Sequence, residues 1–212
     1  MMDKFAARKG LQLGDACLSK ILEYSSQFDT VLDVGGAEGR HALKFADAGK
    51  KVTLVDINPE CPEHENIKII EGEFEEYAAD LSADLVWCSH ILEHQRDVGI
   101  FLEDVLLSAE KFIAITVPPA KHQIVGGHLT IWNAGLLLYN LVLAGQDCRH
   151  AKILETGYNI SLIVKKKVAD FDNNKLQYDH GDIEYLKEFF PKELEWWNDS
   201  FYGDIKELNW WS

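Results

Sequence analysis

The residues best suited to chemistry are two aspartates on either side of a glycine-rich turn. Asp33 stands near the end of an apolar run, just before Gly35 and Gly36, whose lack of side chains lets the backbone approach a ligand closely. Asp56 ends the next apolar run, 21 residues after Gly35. An acid before the turn attracts an ammonium group, and an acid at Asp56 accepts hydrogen bonds from both hydroxyls of a ribose. The two acids therefore predict a site for an adenosine with a cationic tail and no phosphate.

A dinucleotide site is the main alternative, because glycine-rich turns also bind a pyrophosphate at a helix N-terminus. The charge of Asp33 would repel two phosphates. The G-x-G-x-x-G spacing also fails, since Ala37 stands two residues after Gly35 and Arg40 three residues beyond that. An NAD-linked oxidoreductase is therefore disfavoured. A tight strand-to-helix turn without any ligand stays open as the structural interpretation of the glycines alone.

At these residues the sequence resembles the class I methyltransferases, which use S-adenosylmethionine. Residues 33–39 (DVGGAEG) match their first motif, with Ala37 in place of the middle glycine, and Asp56 matches their ribose-binding acid. We expect the alanine to be tolerated if its φ is negative. Residues 71–74 (EGEF) are similar to the segment after the third strand that contacts adenine, with Glu73 where aspartate is more usual.

The fourth apolar run extends the resemblance. Residues 84–94 (DLVWCSHILEH) are similar to the fourth-strand motif of the small-molecule branch, and the whole match spans about residues 30–165. The resemblance implies S-adenosylmethionine as cofactor. It also implies an α/β fold with a doubly wound, Rossmann-like sheet of seven mostly parallel strands, in the order 3-2-1-4-5-7-6 with strand 7 antiparallel. The residues implied for the cofactor are Asp33, Gly35, Gly36, Glu38, Gly39, Asp56, Ile57, Glu73, Phe74, Ser89 and His90.

The elements that must position these residues follow from hydrophobic patterning. Short, nearly continuous apolar runs are typical of parallel strands covered on both faces, and helical patterns separate them here. This alternation predicts a doubly wound sheet, with two final strands close enough in sequence to pair antiparallel. Predicted strands cover 30–34, 51–55, 67–70, 84–88, 112–117, 151–154 and 158–164. Predicted helices cover 4–26, with a break near Gly10 and Gly14, and then 39–49, 95–109 and 134–144.

Three histidines are candidates for the acceptor side of the site. The cofactor's sulfonium carries the reactive methyl group, so the enzyme has mainly to align an acceptor for in-line displacement. A hydroxyl acceptor also needs a base, for which histidine is the usual choice near neutral pH. The predicted catalytic residues are His94, His122 and His128. Their structural alternatives are bracing of the following helix by His94 and ordering of the Gly126-Gly127 loop by His128.

The segment from Lys121 to Tyr139 is predicted to form one wall of the acceptor pocket. It brings a histidine, Trp132 and Asn133 close together, which suits a polar acceptor such as a sugar. Trp132 is equally well interpreted as an ordinary core residue.

Residues 90–94 (HILEH) also fit the H-x-x-E-H zinc pattern of some metallopeptidases. That pattern needs a helix that presents both histidines on one face. Because His90 follows an apolar run, we expect it to leave a strand end for a loop. No metal is therefore predicted.

Composition excludes several classes of function. The 212 residues include 21 Lys and Arg against 35 Asp and Glu, for a formal net charge of −14. Nucleic acids and anionic membranes require clustered positive charge, so neither is predicted as a partner. The N-terminus has no signal-peptide pattern, and the longest uncharged run, 129–146, has an apolar part too short to span a bilayer. Four scattered cysteines fit reduced thiols and predict a cytoplasmic protein.

Residues 168–212 differ in composition from the rest of the chain. They hold eleven acidic residues against four lysines, together with four of the six tryptophans: Trp196, Trp197, Trp210 and Trp211. We predict a methyltransferase domain over 1–167, with an N-terminal helical cap over 1–28, and a C-terminal extension over 168–212. The extension is interpreted as a lid over the acceptor site, as the interface of a homodimer, or as an appendage whose aromatic residues pack on the domain.

The leading hypothesis is a methyltransferase that acts on a small polar molecule with S-adenosylmethionine as methyl donor. The alternative is a non-catalytic S-adenosylmethionine-binding subunit that regulates or assists a partner. In that alternative we expect the C-terminal extension to fill the acceptor pocket.

Overall fold

The computed structural model describes residues 13–212. The predicted helix over 4–26 is described only from its break at Gly14, where φ is 74° and helix α1 (Asp15–Leu22) begins; its first part lies outside the described residues. The other helices are α2 (Arg40–Asp47), α3 (Val98–Ser108), α4 (Ala134–Leu143) and α5 (Gly181–Tyr185). None of the helices in this part of the chain combines the length and apolar character needed to cross a bilayer.

The apolar runs form the predicted strands, with ends that differ from the prediction by at most three residues. They are β1 (Thr30–Val34), β2 (Lys51–Asp56), β3 (Ile67–Glu71), β4 (Ala83–Ser89), β5 (Ala109–Val117), β6 (Lys152–Thr156) and β7 (Asn159–Lys165). Short strands β8 (Trp196–Trp197) and β9 (Ser200–Phe201) form a separate hairpin, and β10 (Glu207–Leu208) follows.

The main sheet has the order β3-β2-β1-β4-β5-β7-β6-β10. Strands β1 to β5 are parallel, and β7 runs antiparallel to both of its neighbours. The predicted order and the predicted antiparallel strand are confirmed. The difference is an eighth strand, β10, which pairs antiparallel with the edge strand β6. A two-residue strand has no periodicity to detect, so only the folded chain shows it.

Both faces of the sheet are buried, because successive side chains on a strand point to opposite faces. On one face, Phe45 of α2 belongs to the same core cluster as Leu85 of β4. On the other face, Leu102 of α3 and Leu138 of α4 share a core cluster with Val86 of β4. This two-sided burial leaves only the ends of the strands free to build a site.

Polar residues fix where two of the helices begin. Asp97 caps α3 by accepting a hydrogen bond from the N–H of Ile100 at 3.1 Å, and Asn133 caps α4 by accepting from the N–H of Leu136 at 2.7 Å. The predicted helix over 95–109 therefore starts three residues later than expected. The three residues before α3 are left in a loop at the edge of the sheet.

The C-terminal extension packs on the domain. Phe189, Phe190 and Leu208 are buried in the core that α3 and α4 share, and the N–H of Gly135 in α4 donates to the carbonyl of Gly203 at 2.8 Å. Of the three interpretations of the extension, the structure shows packing on the domain. The aromatic enrichment of residues 168–212 is accounted for in part by this burial.

Candidate active site

A cavity of about 410 Å³ opens at the carboxyl ends of β1, β2, β3 and β4. Ligands of open α/β sheets bind in this crevice outside the strand ends. Five of the predicted cofactor residues line it, and so does His94. Those five residues are Gly35, Asp56, Ile57, Glu73 and Phe74.

The glycine turn is shaped by close packing. The N–H of Gly35 donates to the carbonyl of Val55 at 2.8 Å, and a Cβ atom on Gly35, where φ is 73°, would lie 2.8 Å from Cδ1 of Ile91. Gly39 has a φ of 72° at the start of α2, where a Cβ atom would overlap the Sγ of Cys61. Both positions need glycine for backbone conformation and for space.

The condition set for an alanine at position 37, a negative φ, is not met, since its φ is 42°. An L-residue pays a steric cost in this left-handed region. The turn holds Ala37 there because its N–H donates to Oδ2 of Asp56 at 2.9 Å. The alanine is therefore tolerated through a hydrogen bond that ties the turn to the end of β2.

Asp56 ends β2 and lines the cavity. Its Oδ2 accepts from Ala37, and its Oδ1 accepts from the N–H of Asn58 at 2.8 Å. A carboxylate has about four lone-pair sites, so two backbone bonds leave capacity for hydroxyl donors. This capacity fits a ribose at the cavity rim.

Asp33 is buried beneath the turn, with 2% of its surface exposed. Its Oδ2 has no hydrogen-bond partner among the described residues, and a Cβ atom on Gly36 would lie 3.0 Å from it. Burial raises the pKa of Asp33 to about 7, the backbone N–H of Ala42 opposes the rise, and the charge of Asp56 adds to it. A cation above the turn would favour the ionised form of this carboxyl group.

Side chains at the end of β4 contact neighbouring strands and, through Asn159, the start of α1. Oγ of Ser89 lies 3.0 Å from Oγ1 of Thr116, and Nε2 of His90 lies 2.9 Å from Oδ1 of Asn159. The same Oδ1 accepts from the N–H of Gly14 at 3.0 Å. Ser89 therefore connects β4 to β5, and His90 connects the end of β4 to β7 and, through Asn159, to the start of α1.

Four further predicted cofactor residues lie outside the lining of the cavity described above. Asp33 lies under the turn, Gly36 is part of it, Gly39 caps the start of α2, and Glu38 is exposed. Ser89 and His90 likewise do not line it. The structure thus brings five of the predicted cofactor residues together in one cavity and places the other six outside its lining.

Two of the three candidate histidines come together. The rings of His94 and His128 lie edge to face with centroids 5.2 Å apart, whereas His122 is exposed on the loop that follows β5. Burial lowers the pKa of His128, which favours its neutral form, although the charge of Glu93 opposes the shift. His128 also lines a smaller cavity of about 30 Å³ together with Lys121 and Tyr158.

Two other residues of the predicted acceptor wall have structural roles. Trp132 is buried in the core, and its Nε1 donates to Oγ1 of Thr130 at 3.0 Å. Asn133 caps α4. The core interpretation of Trp132 is the one that the structure shows.

Sequence reasoning missed several residues that line the cavity, and it also missed Glu93, which lies between His90 and His94. The side chain of Glu93 is buried, with Oε1 3.2 Å from Nδ1 of His90 and 3.9 Å from Nε2 of His94. A buried acid between two histidines has a weak sequence signal, because surface acids are far more common. The lining residues that were missed include Ile91, Gln95, Arg96, Asp97, Ile100 and Phe101.

Solved structures with a similar fold are methyltransferases. The Burkholderia thailandensis 1,6-didemethyltoxoflavin-N1-methyltransferase, solved with 1,6-didemethyltoxoflavin and S-adenosylhomocysteine, is 18% identical, with a TM-score of 0.58 over 71% of this chain and 76% of that chain. An S-adenosylmethionine-dependent methyltransferase from Archaeoglobus fulgidus is 18% identical, with a TM-score of 0.59 over 77% of this chain and 100% of that chain. Human N-acetylserotonin methyltransferase, solved with S-adenosylmethionine, is 20% identical, with a TM-score of 0.59 over 73% of this chain and 52% of that chain.

These similarities confirm the predicted class I methyltransferase fold. The family model for the methyltransferase domain matches residues 5–111, about half of the chain, and the chain belongs to this family. A comparison with curated protein sequences gives no match. Family membership confirms the predicted enzyme class, and the S-adenosyl compounds in the similar structures support the predicted cofactor.

Replacement of the buried carboxylate should change how stability depends on pH. The pKa of Asp33 is raised from 3.8 to about 7 on folding, so wild-type stability falls as pH rises through this window. Asp33→Asn should therefore add about 1–3 kcal/mol to the free energy of unfolding at pH 8, and little at pH 4. Urea unfolding at both values measures the difference. The exposed Asp80→Asn is the control, and equal pH dependence in wild type and Asp33→Asn would contradict the burial argument.

Glycine at position 37 should stabilise the turn. Ala37→Gly removes the left-handed strain and should raise the free energy of unfolding by about 0.5–1 kcal/mol, after the greater flexibility of unfolded glycine is counted. Ala48→Gly is a matched control, because Ala48 ends α2 with a φ of −79° and glycine should lower stability there. Thermal unfolding of both variants checks the sign, and destabilisation by Ala37→Gly would show that Ala37 is unstrained.

Proposed function

We propose that this protein transfers the methyl group of S-adenosylmethionine to a small polar acceptor. The observation that carries the proposal is the cavity at the strand ends, with Asp56 at its rim and the buried, unpartnered Oδ2 of Asp33 beneath the glycine turn. Two carboxylates and no basic side chain on the turn fit an adenosine with a cationic tail better than a pyrophosphate.

The lining residues fit this cofactor group by group. Phe74 and Ile57 supply apolar contact for the adenine, Glu73 lies beside them, and Asp56 accepts from the ribose hydroxyls. Asp33 is the counter-charge for the ammonium group of the cofactor's amino-acid tail. Its unpartnered oxygen supports this assignment, because a buried carboxylate oxygen without a donor is costly.

The bound cofactor supplies an activated methyl group, so the protein's own task is to orient the acceptor and exclude water. His94 lines the cofactor cavity, and His128 lines the smaller cavity next to Lys121 and Tyr158. We place the acceptor between the two cavities, against these histidines. The exposed His122 belongs to the same loop, and its predicted catalytic role rests on the sequence alone.

The acceptors named for similar proteins and the net charge of this chain both support a small acceptor. Two of the similar proteins are named for small-molecule acceptors, 1,6-didemethyltoxoflavin and N-acetylserotonin. The net charge of −14 disfavours nucleic acid. The alternative of a non-catalytic subunit required the C-terminal extension to fill the acceptor pocket, and no residue of 168–212 lines either cavity.

The cellular location and the oligomeric state of the protein remain predictions. The four cysteines are free thiols, which supports a reducing, cytoplasmic setting. The exposed rings of Trp197 and Trp211 support dimerisation through the extension, which light scattering would test.

Ligand-dependent thermal unfolding tests the proposal. S-adenosylmethionine and S-adenosylhomocysteine at 100 times their Kd should stabilise the fold by about 2.7 kcal/mol, or raise the Tm by roughly 5–11 °C, whereas NADH should give no shift. Incubation with a panel of small polar acceptors should then form S-adenosylhomocysteine. A shift with NADH alone, or binding without turnover on any acceptor, would contradict the proposal.

Removal of the carboxylate proposed to accept hydrogen bonds from the ribose should weaken cofactor binding. Asp56→Ala should cost about 1.5–3 kcal/mol of binding free energy, the range for hydrogen bonds to a charged group. Titration calorimetry with S-adenosylhomocysteine measures it. Asn58→Ala, an exposed side chain on the same turn, is the control, and wild-type affinity in Asp56→Ala would contradict the ribose assignment.

A further inference from the structure

Three metal-ligating side chains meet at the boundary between the two cavities. One oxygen of Glu93 and one ring nitrogen each of His94 and His128 all lie within 4.8 Å of one another. Glu93 and His94 belong to the turn that follows β4, and His128 belongs to the loop that follows β5. Because β4 and β5 are neighbouring parallel strands, the segments that follow them bring the three groups close together.

The buried side chain of Glu93 is a second observation, separate from the clustering of the three groups, that points to a bound ligand. Its side chain is 1% exposed, and its Oε2 has no hydrogen-bond partner among the described residues. His90 faces only the other oxygen, Oε1, at 3.2 Å. A buried carboxylate oxygen without a donor is rare and costly, and a cation in contact with both oxygens of the Glu93 carboxylate would remove that cost.

His94 is oriented as a metal ligand. Its Nδ1 donates to the carbonyl of Gly127 at 2.7 Å, which leaves the lone pair of Nε2 free on the side of Glu93. Metal-ligating histidines usually make such a bond with their second nitrogen. Gly127 allows the approach, because its φ is 83° and a Cβ atom there would lie 3.3 Å from Nδ1 of His94.

The loop that carries His128 is fixed to the same turn. The carbonyl of Glu93 accepts from the N–H of Leu129 at 2.8 Å and from the N–H of Thr130 at 3.2 Å. The ring of His128 meets that of His94 edge to face at 5.2 Å. Backbone hydrogen bonds therefore hold the loop of His128 against the turn of Glu93 and His94.

We propose that Glu93, His94 and His128 bind a divalent cation of the zinc class. Two imidazole nitrogens and one carboxylate oxygen suit Zn²⁺, and three protein ligands leave a coordination position open. His94 lines the cofactor cavity and His128 the smaller one, so the open position faces the place assigned to the acceptor. An acceptor oxygen bound there would be fixed and made more acidic. That role rests on the proposed function, whereas cation binding itself does not.

This arrangement differs from the H-x-x-E-H zinc pattern. His90 and His94 do not share a helix, since His90 lies in the left-handed region at a φ of 56° before the short turn Leu92–His94. His90 instead contacts Glu93 and Asn159. The third ligand comes from His128, 34 residues further along the chain than His94.

Cobalt binding tests the site directly. The full chain without a polyhistidine tag is treated with a chelator and titrated with Co²⁺, and we expect one equivalent to give visible absorption bands that Zn²⁺ abolishes. His128→Ala should weaken Co²⁺ binding more than about tenfold. Glu93→Gln should do the same, and circular dichroism checks the fold of both variants. His180→Ala, an exposed histidine in the C-terminal extension, should bind Co²⁺ as the wild type does.

Each outcome decides one question. Absent Co²⁺ binding in the wild type, or unchanged binding in a folded His128→Ala, overturns the metal site. If S-adenosylhomocysteine still binds in that case, the proposed function stands without the metal. If Co²⁺ binds but no S-adenosyl compound does, the metal site stands and the proposed function fails.

Discussion

Burial of a carboxylate at the carboxyl end of β1 is the constraint on which the rest of the site depends. Asp33 lies beneath the glycine turn, one of its oxygens has no hydrogen-bond partner within residues 13–212, and burial raises its pKa to about 7. Such a residue costs stability unless a cation lies above it. Under the proposed function, the glycine turn and the open cavity would place the cationic tail of the cofactor near this carboxylate, and the hydrogen bond between Ala37 and Asp56 ties the turn to the end of β2.

The strand order brings residues that follow several different strands to the same site. Because β1 lies between β2 and β4, the carboxyl ends of these strands bring Asp33, Asp56 and His94 to one edge. β5 then leads into the loop that carries His128. The sheet is buried on both faces, so the residues that the proposed function assigns to the cofactor follow strands that a core on each face supports.

Sequence patterning predicted the parts of this arrangement that depend on local chemistry. The seven long strands, the cavity position of Asp56 and the fold class follow from hydrophobic runs and motif spacing. The left-handed conformation of Ala37 and the convergence of Glu93 with His128 could not be predicted, because each depends on contacts between segments distant in sequence. The two-residue strand β10 lacked any pattern to read.

Proton release on cofactor binding tests the central claim most directly. At pH 6.5, a carboxyl group with a pKa of about 7 is mostly protonated, and an ammonium group above it would drive ionisation. Titration calorimetry of S-adenosylhomocysteine in buffers of different ionisation enthalpy should show proton release on binding that is absent in Asp33→Asn. Binding without proton release, or with the same release in Asp33→Asn, would contradict the account.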